Sequence, residues 1–233
     1  MTKKNRKRSA GIVLRDILLA LLLVAVVAAS AILVYRRFFE SGPATPDEKR
    51  NIAMNHYDAD SFYEENGMLR YAKSAHLTGV DVSEHQEKID WAAVRAAGVD
   101  FAILRIGYRG YTEGSIQEDA YFEQNLAGAI DAGLDVGVYF FSQAMDEQEA
   151  REEARFVLDK ISGYQLAYPV FFDWEKIGAD ARSDAMDLTS LTTVTDTFCS
   201  EIEAAGYQAG LYFNQQLGYE ELHLPSLQGY TFW

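Results

Sequence analysis

The chain has 233 residues and a formal net charge of −14, which leaves room for one large domain plus an extension. The charge is unevenly spread: residues 1–40 hold eight basic and two acidic side chains (+6), leaving 13 basic against 33 acidic (−20), so the body repels nucleic acid phosphates and is no partner for them. The single cysteine, Cys199, excludes an intrachain disulfide; the four histidines lack H-x-x-x-H or H-x-x-E-H spacing, so neither a zinc site nor another cofactor is expected.

Residues 1–16 read as a basic cytoplasmic tail. Residues 17–35 are 19 positions without a charge, between Arg15-Asp16 and Arg36-Arg37, long enough to cross a bilayer as a helix. Six Lys/Arg precede this stretch and two follow it, so the expectation is a single-pass membrane protein, N-terminus inside and acidic body outside, with the lipid bilayer as a partner. Ala28-Ala29-Ser30-Ala31 offers the small residues of a signal-peptide cleavage site, but the usual apolar core of such a peptide is about 7–15 residues, which favours an uncleaved anchor. Residues 36–77 read as an extracellular tether, because Ser41-Gly-Pro-Ala-Thr-Pro46 breaks any helix and the stretch after it is polar. Within it, residues 68–75 are left open between a short helix and a segment lying along the domain.

From Thr78 the chain becomes self-similar. Gly98-Val-Asp-Phe-Ala-Ile-Leu-Arg-Ile, Gly133-Leu-Asp-Val-Gly-Val-Tyr-Phe-Phe and Gly206-Tyr-Gln-Ala-Gly-Leu-Tyr-Phe-Asn each come after an Ala-rich helical run, at 91–97, 121–132 and 191–205. Each glycine reads as a helix C-cap and the residues after it as a strand. The first two glycines lie 35 residues apart and the last two 73, close to two periods, and the missing unit is a helix at 146–161 with the strand after it. Repeating units of this kind predict parallel strands with crossover helices. Val80-Asp-Val-Ser-Glu-His stands where a doubly wound sheet would carry G-x-G-x-x-G, so an α/β barrel is preferred.

The stretch Tyr168-Pro-Val-Phe-Phe-Asp-Trp-Glu175 is apolar after its proline, as for a strand covered on both faces, and ends in two acids two positions apart. Alternation puts Asp173 and Glu175 on one side and Trp174 on the other, against the helices. Each acid raises the other's pKa, the division of labour that glycosidic bond cleavage uses. Catalytic side chains of barrels stand at the C-terminal ends of strands. Successive strands therefore offer Asp81 with Ser83 two residues on; Tyr108 and Arg109; Tyr139, Phe141 and Gln143; Asp173 and Glu175; then Tyr212 and Asn214. Carboxylates with aromatic platforms suit a sugar, whose ring faces stack while its hydroxyls and amides seek hydrogen bonds. The duller rivals to site roles are Arg105 paired with an acid inside the barrel and Arg109 as a loop charge, and His85 reads as a turn residue.

Gly79-Val-Asp-Val-Ser-Glu-His-Gln86, Phe101-Ala-Ile-Leu-Arg-Ile-Gly-Tyr-Arg109, Gly137-Val-Tyr-Phe-Phe-Ser-Gln143 and Asp173-Trp-Glu175 together resemble glycoside hydrolase family 25, the lysozymes that cut the β-1,4 bond from N-acetylmuramic acid to N-acetylglucosamine in peptidoglycan. The resemblance runs from about Thr78 to the last residue. It implies an irregular TIM-like (β/α) barrel of five units completed by further strands, with Glu175 as general acid and then base. It also implies that Asp173 supports the substrate's acetamido group or an ion-like transition state, that Asp81 is a third acid at the cleft floor, and that Tyr139 lines the cleavage subsite. Backbone spacing leaves covalent, substrate-assisted and inverting routes open. Gly229-Tyr-Thr-Phe-Trp233 begins a sixth strand where the family's barrel continues. The expectation is therefore a domain at 78–233 truncated at its C-terminus, with its activity left open. A membrane-tethered module that holds glycan without cutting it is the alternative, and a metal-dependent deacetylase is disfavoured by the missing histidine pair.

Overall fold

A computed structural model describes residues 27–30, 52, 56–65, 67–178 and 181–233. The chain divides into two units, Met1–Ser41 and Gly42–Trp233. Of the first, only the helical turn at 27–30 is described. The expected membrane span at 17–35 otherwise lies outside the described residues, and the reading of a single-pass membrane protein is corrected. Among the described residues no helix is long and apolar enough to cross a membrane, whose hydrocarbon core of about 30 Å takes about 20 apolar residues to span. Neither a membrane location nor a bilayer partner is carried forward.

The first strands described in the second unit form an antiparallel hairpin, β1 (Phe62–Glu65) with β2 (Met68–Tyr71). It lies inside the stretch read from sequence as a tether, and residues 68–71 form a strand where a short helix was one of two options. Two contacts fasten it to the body: Met68 packs against the core, and Arg70 donates to Thr78 Oγ1 and, at 3.4 Å, to the Gly98 carbonyl.

The body alternates strands and helices as the repeat predicts: β3 (Gly79–Val82), α1 (Trp91–Ala96), β4 (Phe101–Arg109), β5 (Ile116–Glu118), α2 (Phe122–Asp131), β6 (Asp135–Phe141), α3 (Glu147–Lys160), β7 (Val170–Asp173), α4 (Leu188–Ala204), β8 (Ala209–Tyr212), α5 (Gln215–Glu220), α6 (Leu224–Leu227) and β9 (Thr231–Phe232). The strands pair in the order β3-β4-β6-β7-β8-β9, each neighbour parallel, with β5 added antiparallel to β4. The architecture is a half-barrel of six parallel strands, in line with the incomplete α/β barrel read from the sequence. Gly98, Gly133 and Gly206 carry φ of 91°, 74° and 91°, the left-handed geometry expected of C-cap glycines.

Strand alternation writes two faces. Ala102, Leu104 and Ile106 of β4, Val138 and Phe140 of β6 and Phe172 of β7 are buried in one core with Leu126 of α2, Val157 of α3 and Phe198 of α4. The other face looks into the arc of the half-barrel. At its lower end Phe101 stacks on Tyr168 with ring centroids 4.4 Å apart. Gly137 makes room for that layer, since a Cβ there would stand 2.7 Å from the Cβ of Tyr168. At the upper end of this face the polar residues collect.

Candidate active site

Asp81 on β3, Tyr139 and Phe141 on β6, Asp173 closing β7, Glu175 two residues on and Tyr212 on β8 all line one cleft of about 450 Å³. In register, Asp173 stands beside Phe141 on one side and Tyr212 on the other, at the C-terminal ends of three adjacent parallel strands. Alternation along β7 and the extended chain after it brings Glu175 back to the same face. Trp174, of opposite parity, is buried among the helices as expected and donates its indole N–H to Ser183 Oγ at 2.9 Å.

The three acids meet different surroundings. Asp81 is exposed on an edge strand and Glu175 is half-buried, whereas Asp173 is buried. Burial first, then the charges of Glu175 and Asp81, push the Asp173 carboxyl well above its ordinary range, and Arg105 opposes them. Asp173 Oδ1 is buried yet has no hydrogen-bond partner among the described residues. A buried carboxylate oxygen left unpaired is costly unless a ligand engages it. Tyr139 is likewise pushed up by burial, with Arg105 opposing and Asp173 and Asp81 adding to the rise. Burial and the neighbouring Glu175 and Asp173 carboxylates also raise the Tyr212 phenol.

Arg105 reaches the cleft from β4 and pairs with Asp119 at 2.8 Å and Glu84 at 3.0 Å. A register shift between Arg105 and Gly107 then rephases β4. It brings Tyr108 to the same face as Arg105, whose guanidinium carbon lies 5.2 Å from the ring centre, and turns Arg109 toward the helices. Tyr108 therefore lies beneath Arg105 and is not among the residues that line the cleft. Arg109 is no loop charge. It is only 4% exposed and donates to Glu153 of α3 at 2.7 Å.

Gln143 is corrected as a substrate contact, because it is 0% exposed and both ends of its amide are committed. Its nitrogen donates to the Glu175 carbonyl at 3.3 Å and its oxygen accepts from Ser183 Oγ at 2.6 Å. With Trp174 it forms a chain of hydrogen bonds that fixes the backbone of Glu175 from behind. Past Glu175, Asp184 accepts from the N–H groups of Ile177 and Gly178 at 3.0 and 2.6 Å, and Arg182 pairs with Glu149 of α3 at 2.7 Å. Ser83 and His85 line the cleft beside Asp81, in a single turn that Ser83 caps.

Sequence reasoning missed Trp233. Its ring contacts Phe171, Tyr212 and Tyr139 at centroid distances of 5.2, 5.1 and 6.3 Å, and it forms part of the cleft wall. The available signal was an aromatic after an expected strand, next to others at neighbouring strand ends. Among the described residues no group of three His, Cys, Asp or Glu could hold a metal ion.

A parallel β/α half-barrel with carboxylates and aromatic rings at its C-terminal mouth is the architecture of a barrel enzyme whose site suits a sugar. A family model described as Glycosyl hydrolases family 25 matches residues 80–233, and the chain belongs to that family. It is similar to Lysozyme M1 of Streptomyces globisporus, 35% identical over 72 residues, which cover 31% of this chain and 23% of that one. Among solved structures it resembles the modular autolysin LytC of Streptococcus pneumoniae, with a TM-score of 0.57 at 23% identity over 69% of this chain and 39% of that one. It also resembles a family 25 glycosyl hydrolase of Bacillus anthracis, with a TM-score of 0.53 at 19% identity over 72% and 70% of the two chains. The match spans less than two thirds of the length of the curated relatives.

Proposed function

We propose that the protein hydrolyses peptidoglycan glycan strands at the β-1,4 bond between N-acetylmuramic acid and N-acetylglucosamine. One observation carries the reading: Asp81, Asp173 and Glu175 line a single cleft, and a buried Asp173 oxygen there has no hydrogen-bond partner among the described residues. The likeness to lysozymes supports it, as does the LytC structure solved with a synthetic peptidoglycan ligand. Glu175, half-buried and held by its carbonyl to Gln143, gives a proton to the departing glycosidic oxygen and takes one from water later. Asp173 supports the acetamido group or the charge that develops at the reacting carbon. Tyr139, Phe141, Tyr212 and Trp233 offer ring faces to the sugar.

Release of reducing ends from purified peptidoglycan by the full chain, beside Glu175→Gln, tests the proposal. A loss of at least about 100-fold is expected, the usual contribution of a positioned general acid. Equal rates would remove Glu175 from its role. Glycan binding by the unsubstituted chain without any new reducing ends would identify a holding module instead.

A further inference from the structure

The cleft that holds Asp81, Asp173 and Glu175 carries one guanidinium in its wall, that of Arg105, and no other lysine or arginine among the described residues lines it. Three acids attract that cation, yet among the described residues no ion pair joins it to any of them. Arg105 is held elsewhere. Its Nε donates to Asp119 Oδ2 at 2.8 Å and its Nη2 to Glu84 Oε1 at 3.0 Å, and the Tyr108 ring centre lies 5.2 Å from its guanidinium carbon. We infer that Asp119, which does not line the cleft, is a positioning residue for this site: it clamps Arg105 in the wall, so that the guanidinium leaves Asp173 Oδ1 open to a sugar. The inference rests on the proposed role of Asp173.

Asp119 directly follows β5, and its side chain is 0% exposed with both oxygens satisfied. Oδ1 accepts from the Tyr121 N–H at 3.0 Å, while Oδ2 accepts from the Glu84 N–H as well as from Arg105, each at 2.8 Å. One oxygen thereby ties β4 to the turn that carries Ser83 and His85 into the cleft. A buried carboxylate with all its bonds made is fixed in place, and it fixes the planar fork that it grips. What separates this pair from a structural one is that its cation faces the cleft, where it opposes the rise that burial, Glu175 and Asp81 give the Asp173 carboxyl. The titratable groups that line the cleft with Asp173 are Glu175, Asp81, His85, Arg105, Tyr139 and Tyr212. Arg105 alone among them is a permanent cation. Freed from Asp119, it is drawn to the buried oxygen of Asp173, where the low dielectric makes the attraction largest.

The test compares the full chain with Asp119→Asn, Arg105→Gln and the double variant, each assayed across pH for release of reducing ends from peptidoglycan. Asp119→Asn keeps the shape, loosens the grip on Arg105 and removes a negative charge. The pH optimum should therefore move down by roughly one unit, with kcat at least about tenfold lower. Arg105→Gln takes the cation away, so the optimum should move up. The double variant should lie between the two. A merely structural pair would change the amount of folded protein and leave the optimum in place. An unmoved optimum, or shifts of one sign in both single variants, would overturn the inference. Where only one single variant folds, the sign of its shift relative to the double variant decides. If the unsubstituted chain releases no reducing ends at any pH, the proposed hydrolysis fails separately. Titration of the Asp173 carboxyl by carbon NMR, its signal identified by its loss in Asp173→Asn, then carries the test: a midpoint lower in Asp119→Asn than in the unsubstituted chain supports the clamp, and any other result overturns it.

Discussion

Asp173 and Glu153 are both buried carboxylates pushed above their ordinary range chiefly by burial, Glu153 to about 7. They stand on opposite faces of the sheet, and their hydrogen bonds differ completely. Glu153 accepts from Arg109 Nε at 2.7 Å and from Ser142 Oγ at 2.6 Å, so each of its oxygens is satisfied. The Arg109 guanidinium is completed by the Gly114 and Glu149 carbonyls at 2.6 and 3.0 Å. Asp173 instead keeps a buried oxygen with no partner among the described residues, at the wall of a cleft. A perturbed titration alone therefore does not separate a functional acid from a structural one; the count of satisfied oxygens does.

The sharpest way to break this contrast is to exchange the two measurements. Asp173→Asn should lower the rate of reducing-end release by roughly 10²–10⁴-fold and shift the unfolding free energy by no more than about 1 kcal/mol, since it keeps the shape and breaks no hydrogen bond to Oδ1. Glu153→Ala should do the reverse to stability. It leaves Arg109 buried without its closest carboxylate and should cost about 3–5 kcal/mol in denaturant unfolding. A stability loss for Asp173→Asn as large as that for Glu153→Ala would erase the distinction.

A smaller effect lies in the pH dependence of stability. The folded-state value for Glu153, about 7, exceeds its ordinary 4.5, so the native state binds more protons than the unfolded state between these limits. Its contribution to stability is fully present below about pH 4.5 and is lost as pH rises through about 7, with a slope of at most ~1.4 kcal/mol per pH unit. Asp173 slopes the same way. Glu153→Gln should flatten the fall in unfolding midpoint across that window relative to the unsubstituted chain; an unaltered profile would show that Glu153 titrates normally.

The smallest expected effect tests the support behind Glu175. Ser183→Ala removes the hydroxyl that links Trp174 to Gln143. It should cost about 1–2 kcal/mol of stability and lower kcat by roughly tenfold, with KM little changed, because the acid is displaced while the sugar contacts stay. Restoration by Ser183→Thr would mark the hydroxyl as the active feature, and equal changes in kcat and KM would reduce it to packing.

Much of this was legible in the sequence because it depends on local periodicity. The Ala-rich runs ending in Gly98, Gly133 and Gly206 announced the helix-to-strand boundaries, and the period of 2 in strands put Asp173 and Glu175 on one face and Trp174 on the other. What alternation could not supply was the phase after an irregularity. The register shift in β4 put Tyr108 on the face of Arg105 and turned Arg109 into the buried network with Glu153. Gln143 misled for a related reason. It lies beyond the end of β6, where alternation no longer dictates direction, and it turned inward to Ser183 and Glu175.

The sequence by itself determined the order of elements, the parallel sheet and the set of acids at strand ends, since these arise from hydrophobic periodicity, caps and the handful of residues that bear charge in apolar strands. The tertiary structure alone decided which buried acids are satisfied and that Trp233 reaches the cleft. Those facts depend on distances between residues far apart in the chain, such as the 44 positions from Arg109 to Glu153, which no local pattern encodes.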